Sequence, residues 1–423
     1  MVRIFSSVVL VVGCAARADA QALSIAQAVD EALQHNLSLL AEKTALTIAD
    51  AQMVAARLRP NPVFSFSADH LDALGTGFDA TNNGGPPEIA WRVDVPLERG
   101  GKRSARIALA SAVKSAAEAQ FADAVRGLTQ DVTLACIDVI AAQASRTLLA
   151  ENLHAFEELA RVNRARVTAG SLAPFEATRS EVAMLQFRAT VVRADLDVAA
   201  ATARVRVLLG RLPDDPLKIT DALTGFAGEP APALGQLQEL ARQARPDLRA
   251  LQLAQARSVA DLRLQEALGT IDYTVGAEYR RQQGIAGRGN SLGLFFSTPL
   301  PFSNRNQGEI ARATAERTQA DRHIAAREAQ IAADVQSAFH EYVTTRELVA
   351  DIEGALIQPA TKARDTSAYM YRSGGTSLVE LLDAQRAFND AMQGYVDARA
   401  GLRRAATTCR GASGSTTPKG SPR

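Results

Sequence analysis

The sequence repeats one series of features about 204 residues apart, and this duplication limits the folds available to the chain. Val93–Leu97 (VDVPL) returns as Phe296–Leu300 (FSTPL), and Val167–Gly170 (VTAG) returns as Tyr371–Gly374 (YRSG). Pro96 and Pro299 are 203 residues apart, and Gly170 and Gly374 are 204 residues apart. A repeat this long is not a solenoid unit. It predicts a duplicated half-molecule.

Each half is predicted to contain a helix, a β-hairpin, a very long helix, a glycine turn and a returning helix. The opening helices are expected from Ser24 to about Leu58 and from Ala233 to about Leu268. Pro359 lies inside the second long helix, where the first has Ala155, so a kink is expected in the second half only. The first repeat is predicted at 21–209, with its hairpin at about 62–97, its long helix at 103–169 and its return helix at 173–209. A linker is predicted at 210–232. The second repeat is predicted at 233–406, with its hairpin at about 271–300, its long helix at 306–373 and its return helix at 376–406, and a disordered tail at 407–423.

The N-terminus has the features of a secretory signal peptide, predicted at residues 1–20. A nine-residue apolar stretch precedes Ala18-Asp19-Ala20, which fits an A-x-A cleavage site. The alternative is lipidation at Cys14, after a short signal. Cys136 and Cys409 do not imply a disulfide framework, and no later segment is apolar enough to predict a transmembrane helix. The near balance of 47 Lys+Arg and 46 Asp+Glu gives no basic surface for nucleic acid.

Four short runs alternate between apolar and polar residues and are predicted to be β-strands. The apolar positions include Phe64 and Phe66, Trp91 and Val93, Val275 and Tyr279, and Leu292 and Leu294. Strands with lipid on one side and water on the other show this pattern, and so do half-buried sheets of soluble domains. If the strands span a membrane, four cannot close a barrel, since open edges are not tolerated in lipid. Three chains would supply 12 strands.

Four segments, in this order within a duplicated unit, point to one family. They are Leu23–Val29 (LSIAQAV), Leu58–Pro62 (LRPNP), Pro96–Arg103 (PLERGGKR) and Tyr371–Gln385 (YRSGGTSLVELLDAQ). With them the chain resembles the TolC-like outer-membrane efflux proteins, the outer membrane factors, and within these the cobalt-zinc-cadmium-type heavy-metal group.

The resemblance implies a mainly α-helical fold with a β-barrel part, formed by a homotrimer in the cell outer membrane. A 12-stranded barrel continues into a periplasmic helical tunnel roughly 100 Å long. Such a protein is a passive exit duct, not an enzyme, and has no cofactor. Its expected partners are a periplasmic adaptor (membrane fusion) protein, an inner-membrane resistance-nodulation-division pump and outer-membrane lipid. Heavy-metal cations are the expected cargo. The alternatives are a multidrug duct of the same fold and, in a different class, a periplasmic coiled-coil adaptor or scaffold.

The same resemblance places a periplasmic entrance at the helical tips. Glu380 and Asp383 match the acidic pair of this entrance, and Glu176 matches the counterpart of that pair in the first half. Tyr371 matches a tyrosine that helps to hold the entrance closed. The turns at Gly170 and Gly374 are expected to contact the adaptor. Threefold copies of the acids would favour cations at a narrow mouth. The alternative is that Glu380 and Asp383 only complement a helix dipole. Thr376 replaces the family's basic residue four positions before Glu380, which argues against a salt-bridge latch. The five histidines share no metal-ligand spacing.

Overall fold

The structure is a computed structural model, and it describes residues 22–71, 75, 87–223, 233–284 and 287–414. These residues fall into two compact units. The first unit contains residues 22–40, 125–241 and 334–414, and the second contains residues 41–124 and 242–333. The predicted signal peptide, the possible lipidation site at Cys14, residues 224–232 of the linker and the last nine residues lie outside the described part.

The described elements follow the predicted order in both halves. In the first half they are β1 (Ala22–Leu23), α1 (Ile25–His35), α2 (Leu37–Arg57), β2 (Val63–Asp69), β3 (Glu88–Leu97), α3 (Lys102–Thr168) and α4 (Pro174–Leu209). In the second they are β4 (Lys218–Ile219), α5 (Leu234–Ala244), α6 (Pro246–Leu268), β5 (Tyr273–Gly284), β6 (Gly287–Ser297), α7 (Gln307–Asp351), a π-helical segment (Ile352–Leu356), α8 (Ile357–Arg372) and α9 (Leu378–Ala412).

The opening helix of each half is interrupted, so the prediction of one continuous helix was wrong. Between α1 and α2, the side chain of Asn36 accepts from the Leu39 amide and donates to the carbonyl oxygen of Leu208, both at 2.9 Å. Between α5 and α6, Arg245 is extended because Pro246 follows it. Local side-chain bonding at Asn36 and a proline after Arg245 therefore each interrupt the helix at a single residue, after a first segment of 11 residues in both halves.

The second long helix departs from α-helical geometry next to Pro359, whereas α3 is α-helical throughout its 67 residues. Residues Ile352–Leu356 are π-helical. A proline lacks the amide hydrogen that its i−4 carbonyl would accept, and π-turns are one way in which a helix adapts to such a loss. The predicted asymmetry between the two long helices is confirmed in this form.

The expected start of the disordered tail was wrong. Helix α9 continues to Ala412, so residues 407–412 are helical rather than part of a disordered tail. Cys409 is buried in this helix, and packing of its apolar face overrides the polar composition. The second hairpin lies within the predicted range of about 271–300, and its strands β5 and β6 pair as far as Gly284 and Gly287.

The core of the first unit is formed by α1, α3, α4 and α9. Val132, Cys136 and Val139 of α3 lie in it and are almost completely buried. Burial raises the pKa of the Cys136 thiol to about 12. Among the described residues, one helix, α3, contains a stretch apolar enough by composition to cross a membrane. Length and composition alone are weak evidence for a membrane span, and the same helix contributes buried residues to this core.

The second unit contains one antiparallel sheet with the strand order β2-β3-β5-β6. Below the sheet, the Asp272 carboxylate accepts from the buried Lys102 ammonium at 2.6 Å and from the Arg99 amide at 2.9 Å. Gly100, with φ +68°, lies against Thr270, and a Cβ at Gly100 would be 2.6 Å from the threonine hydroxyl. These contacts fix the end of β3 and the start of α3 against the turn that enters β5.

Candidate functional site

The four-stranded sheet has one apolar face and one charged face. Its register aligns Phe64, Val93, Ala277 and Leu294 in one row, and Phe66, Trp91, Tyr279 and Leu292 in the next. The opposite face carries Arg92 next to Glu278, and Glu88 and Arg280 in neighbouring rows. The alternation predicted from the sequence is therefore maintained across all four strands.

Exposure distinguishes this sheet from that of a soluble domain. In a soluble sheet the apolar face packs on a core and the polar face meets water. Here the apolar side chains are the exposed ones: Leu294 is 83% exposed, Leu292 76% and Phe64 65%. On the charged face, by contrast, Glu278 is 9% exposed. An apolar surface of this kind indicates contact with lipid or another apolar partner.

Aromatic side chains form two groups on the apolar face. Trp91 stacks on Tyr279, with ring centroids 5.7 Å apart, and also contacts Phe66 at 6.0 Å. Tyr273 and Phe296 contact each other at 5.1 Å. Tyr273 and Tyr279 are six residues apart on one strand, which is about 20 Å. Outer-membrane barrels have such aromatic girdles on either side of an apolar band.

The second candidate region comprises the two helical turns of the first unit. Gly170 (φ +70°) and Gly374 (φ +78°) both have left-handed backbone geometry. Each turn contains the same pair of backbone hydrogen bonds. In the first turn the Ser171 amide donates to the Arg166 carbonyl and the Gly170 amide to the Val167 carbonyl, both at 2.9 Å. In the second turn the Gly375 amide donates to the Met370 carbonyl at 2.8 Å and the Gly374 amide to the Tyr371 carbonyl at 3.2 Å. These are Schellman motifs, for which glycine at this position is favoured. A Cβ at Gly170 or Gly374 would meet no atom within 4 Å.

Tyr371 is buried near the second turn rather than exposed at a surface. Its hydroxyl donates to Asn163 Oδ1 at 2.8 Å, and it packs with Phe156, Leu378 and Leu382. Asn163 is 0% exposed, and its Nδ2 has no hydrogen-bond partner in the described part of the chain. Sequence reasoning missed Asn163. The available signal was its place seven residues after Phe156, which is two helical turns along the same face.

The three acidic candidates have different surroundings. Glu380 belongs to a capping box: its backbone amide donates to the Ser377 hydroxyl, and its carboxylate accepts from the Ser377 amide at 3.2 Å and from the Thr376 hydroxyl. The helix-end interpretation of Glu380 therefore has direct support. Asp383 is exposed, with Arg386 at 3.7 Å. Glu176 lies in the first turn of α4, and its Oε2 is buried without a hydrogen-bond partner among the described residues.

Comparison with known proteins decides the family. The family model described as "Outer membrane efflux protein" matches residues 28–211 and 237–415. The chain belongs to this family. It is 24% identical over 401 residues to the cobalt-zinc-cadmium resistance protein CzcC of Cupriavidus metallidurans, covering 91% of this chain and 88% of that protein. It is 26% identical over 274 residues to the nickel-cobalt-cadmium resistance protein NccC of Alcaligenes xylosoxydans xylosoxydans, covering 64% and 59%.

A solved structure gives the same fold. The CmeC outer membrane channel of Campylobacter jejuni matches with a TM-score of 0.77 at 13% identity, covering 93% of this chain and 86% of that chain. Location in the outer membrane accounts for the exposure of the apolar residues of the sheet, since strands that contact lipid carry apolar side chains on that face. The family and the fold are those of channel proteins, and the predicted resemblance is confirmed.

Proposed function

We propose that three copies of this outer membrane efflux protein form a passive exit duct for heavy-metal cations. The observation that carries this proposal is the sheet, with its exposed apolar face, its charged opposite face and its two open edges, β2 and β6. Open edges are not tolerated in lipid, and four strands do not close. Pairing β6 of one copy with β2 of the next would give a 12-stranded barrel with lipid outside and the charged face lining the lumen.

The chain is proposed to consist of two structural repeats joined by the linker, as the sequence predicts. Two glycines with left-handed geometry at the ends of the return helices support this. Gly210 has φ +71° and Gly414 has φ +78°, with the same 204-residue spacing as Gly170 and Gly374. The family model also matches the chain in two segments of similar length. In a trimer, six long helices and their return helices would form the periplasmic tunnel.

The partners and cargo follow from the relatives. Outer membrane factors generally work with a periplasmic adaptor and an inner-membrane pump, here proposed to be of the resistance-nodulation-division class. CzcC and NccC are named for resistance to cobalt, cadmium, zinc and nickel. The cargo is accordingly proposed to be divalent metal cations. The chain itself needs no catalytic residue or cofactor for passive export.

The periplasmic entrance is proposed to lie at the two helical turns. The turns at Gly170 and Gly374 would contact the adaptor. Asp383 and Glu176 would supply negative charge near the opening, while Glu380 would mainly stabilise the start of α9. Tyr371 would help to keep the entrance closed through its buried bond to Asn163.

The test is deletion of the gene in its host, followed by growth on zinc, cobalt and cadmium salts and on a panel of organic antibiotics. Loss of metal tolerance, restored by the intact gene, is the expected result. Unchanged metal tolerance with increased antibiotic sensitivity would instead assign the duct to organic drugs. Unchanged growth on both, with an active pump and adaptor present, would contradict a role as exit duct.

A further inference from the structure

Arg280 lies on the charged face of the sheet between two carboxylates from neighbouring strands. Its guanidinium Nη1 is 2.8 Å from Glu88 Oε2, and its Nη2 is 2.9 Å from Glu278 Oε1. The side chains of Glu88 and Glu278 are only 17% and 11% exposed, while that of Arg280 is 37% exposed. One guanidinium therefore bridges two partly buried carboxylates. Arg92 lies opposite Glu278 in the register, and the Gln282 amide donates a hydrogen bond to Glu88.

The charged face as a whole carries more negative than positive groups. Its carboxylates are Asp69, Glu88, Asp94 and Glu278, and its cations are Arg92 and Arg280, so its formal net charge is −2 per chain. Arg92 is already engaged: its Nε is 2.9 Å from Asp94 Oδ2, and its guanidinium lies 4.0 Å from the centre of the Phe295 ring. Arg280 is thus the described cation of this face that forms ion pairs with both Glu88 and Glu278.

A duct for divalent cations must attract its cargo and also release it. Conduction requires binding that is favourable enough for entry and weak enough for exit. The two partly desolvated carboxylates that Arg280 bridges provide oxygen ligands of the type that retain divalent cations. A guanidinium, which stays charged and binds carboxylates bidentately, occupies that position permanently.

We propose that Arg280 is a specificity-determining residue of the duct, acting as a fixed counterion that prevents its luminal wall from retaining the cations it passes. The inference rests on the proposed function, in which the charged face lines the lumen. The surplus negative charge of the wall still favours cations over anions. Removing Arg280 would raise this preference and would leave Glu88 and Glu278 without the cation between them, so that their carboxylates could bind a divalent ion.

The experiment uses the full protein, purified from outer membranes and inserted into planar bilayers. Arg280→Gln is compared with Arg281→Gln, which makes the same charge change at the next residue but on the apolar face, in the row of Ile89. The readouts are the potassium-to-chloride permeability ratio and block of the potassium current by cobalt(II) chloride. We expect Arg280→Gln to raise the ratio about two- to threefold and to be blocked by cobalt at concentrations that leave the wild-type current unchanged. Arg281→Gln should match the wild type in both.

Two further variants keep the inference testable if Arg280→Gln does not assemble. Glu278→Gln retains the Arg280–Glu88 pair and should lower the permeability ratio. Arg280→Gln/Glu278→Gln has the wild-type net charge and a single free carboxylate, so cobalt block should be lost. If the wild-type protein forms a channel, and the Arg280→Gln and Glu278→Gln channels have its selectivity and its cobalt sensitivity, the inference alone is overturned. A wild-type protein that forms no channel would overturn the proposed function itself.

Discussion

The buried bond between Tyr371 and Asn163 allows a sharp test of how the helical turns are held together. Replacing Tyr371 by Phe keeps the ring in its packing with Phe156 and Leu382 but removes the hydroxyl that donates to Asn163 at 2.8 Å. Asn163 is 0% exposed, and its Nδ2 already lacks a partner among the described residues. The substitution therefore leaves the whole amide without a protein partner.

The loss of stability in Tyr371→Phe can be estimated from what happens when one or both partners of a buried hydrogen bond are removed. Leaving a buried polar group unsatisfied costs about 1–3 kcal/mol, whereas replacing both partners by apolar groups is nearly neutral. Local opening of this region should therefore become about 5- to 150-fold more frequent in Tyr371→Phe. The double variant Tyr371→Phe/Asn163→Leu should recover most of the loss, to within about 1 kcal/mol of the wild type.

Amide hydrogen exchange of the detergent-solubilised protein measures this opening directly, at the amides around residues 160–168 and 368–372. Tyr369→Phe is the matched control, because Tyr369 is 73% exposed on the same helix. Its effect should stay within about 0.5 kcal/mol. Channel recordings should follow the same order, with more open time in Tyr371→Phe and recovery in the double variant. Unchanged exchange in Tyr371→Phe, or exchange in the double variant as fast as in Tyr371→Phe, would refute the reasoning.

Three further predictions follow from single contacts. Gly210→Ala should lower the free energy of unfolding by about 2–5 kcal/mol, because Gly210 has φ +71° and a new Cβ would overlap the carbonyl oxygen of His35. Gly374→Ala, at a glycine with φ +78° and no atom near the new Cβ, should lower it by only about 1–2 kcal/mol. Equal losses of stability in thermal denaturation would contradict this. Burial would raise the pKa of Asp247, but hydrogen bonds from two arginines outweigh it and hold the pKa at about 2. The lowered pKa stabilises the folded protein by about 2–3 kcal/mol at pH values above the ordinary pKa of 3.8, and this stabilisation should be lost as the pH falls from 4 towards 2. Asp247→Asn should remove this pH dependence in acid titrations followed by circular dichroism. Leu294→Arg places a charge on the apolar face and should cost about 2–4 kcal/mol, seen as less assembled protein in outer membranes; normal assembly would argue against lipid contact there.

The sequence predicted the sheet well because each strand carries its own signal. Alternation in β3 and β5 is local, and it reports which side chains share a face before any partner strand is known. The turns at Gly170 and Gly374 were equally accessible, since left-handed geometry favours glycine. What the strands could not show is the direction of exposure, because lipid-facing and half-buried sheets have the same pattern.

The features that sequence reasoning missed depend on residues distant in the chain. Asn36 interrupts the opening helix partly because its side chain reaches the carbonyl of Leu208, 172 residues later. Cys409 lies in a polar segment but becomes buried once α9 packs in its unit. Asn163 is a buried polar residue whose hydrogen-bond partner, the Tyr371 hydroxyl, lies 208 residues later in the chain. Tertiary contacts override local propensity at each of these positions.

The central claim is that the open edges of the sheet are closed by other copies of the chain within the outer membrane. The most direct measurement is the mass of the protein extracted by mild detergent from carbonate-washed outer membranes, before and after heating in dodecyl sulfate. A species near three times the mass of one chain, converted to single chains only on heating, is the result that three paired sheets predict. A single chain recovered from the soluble periplasmic fraction would contradict it, because the exposed apolar face of the sheet would then have neither lipid nor partner.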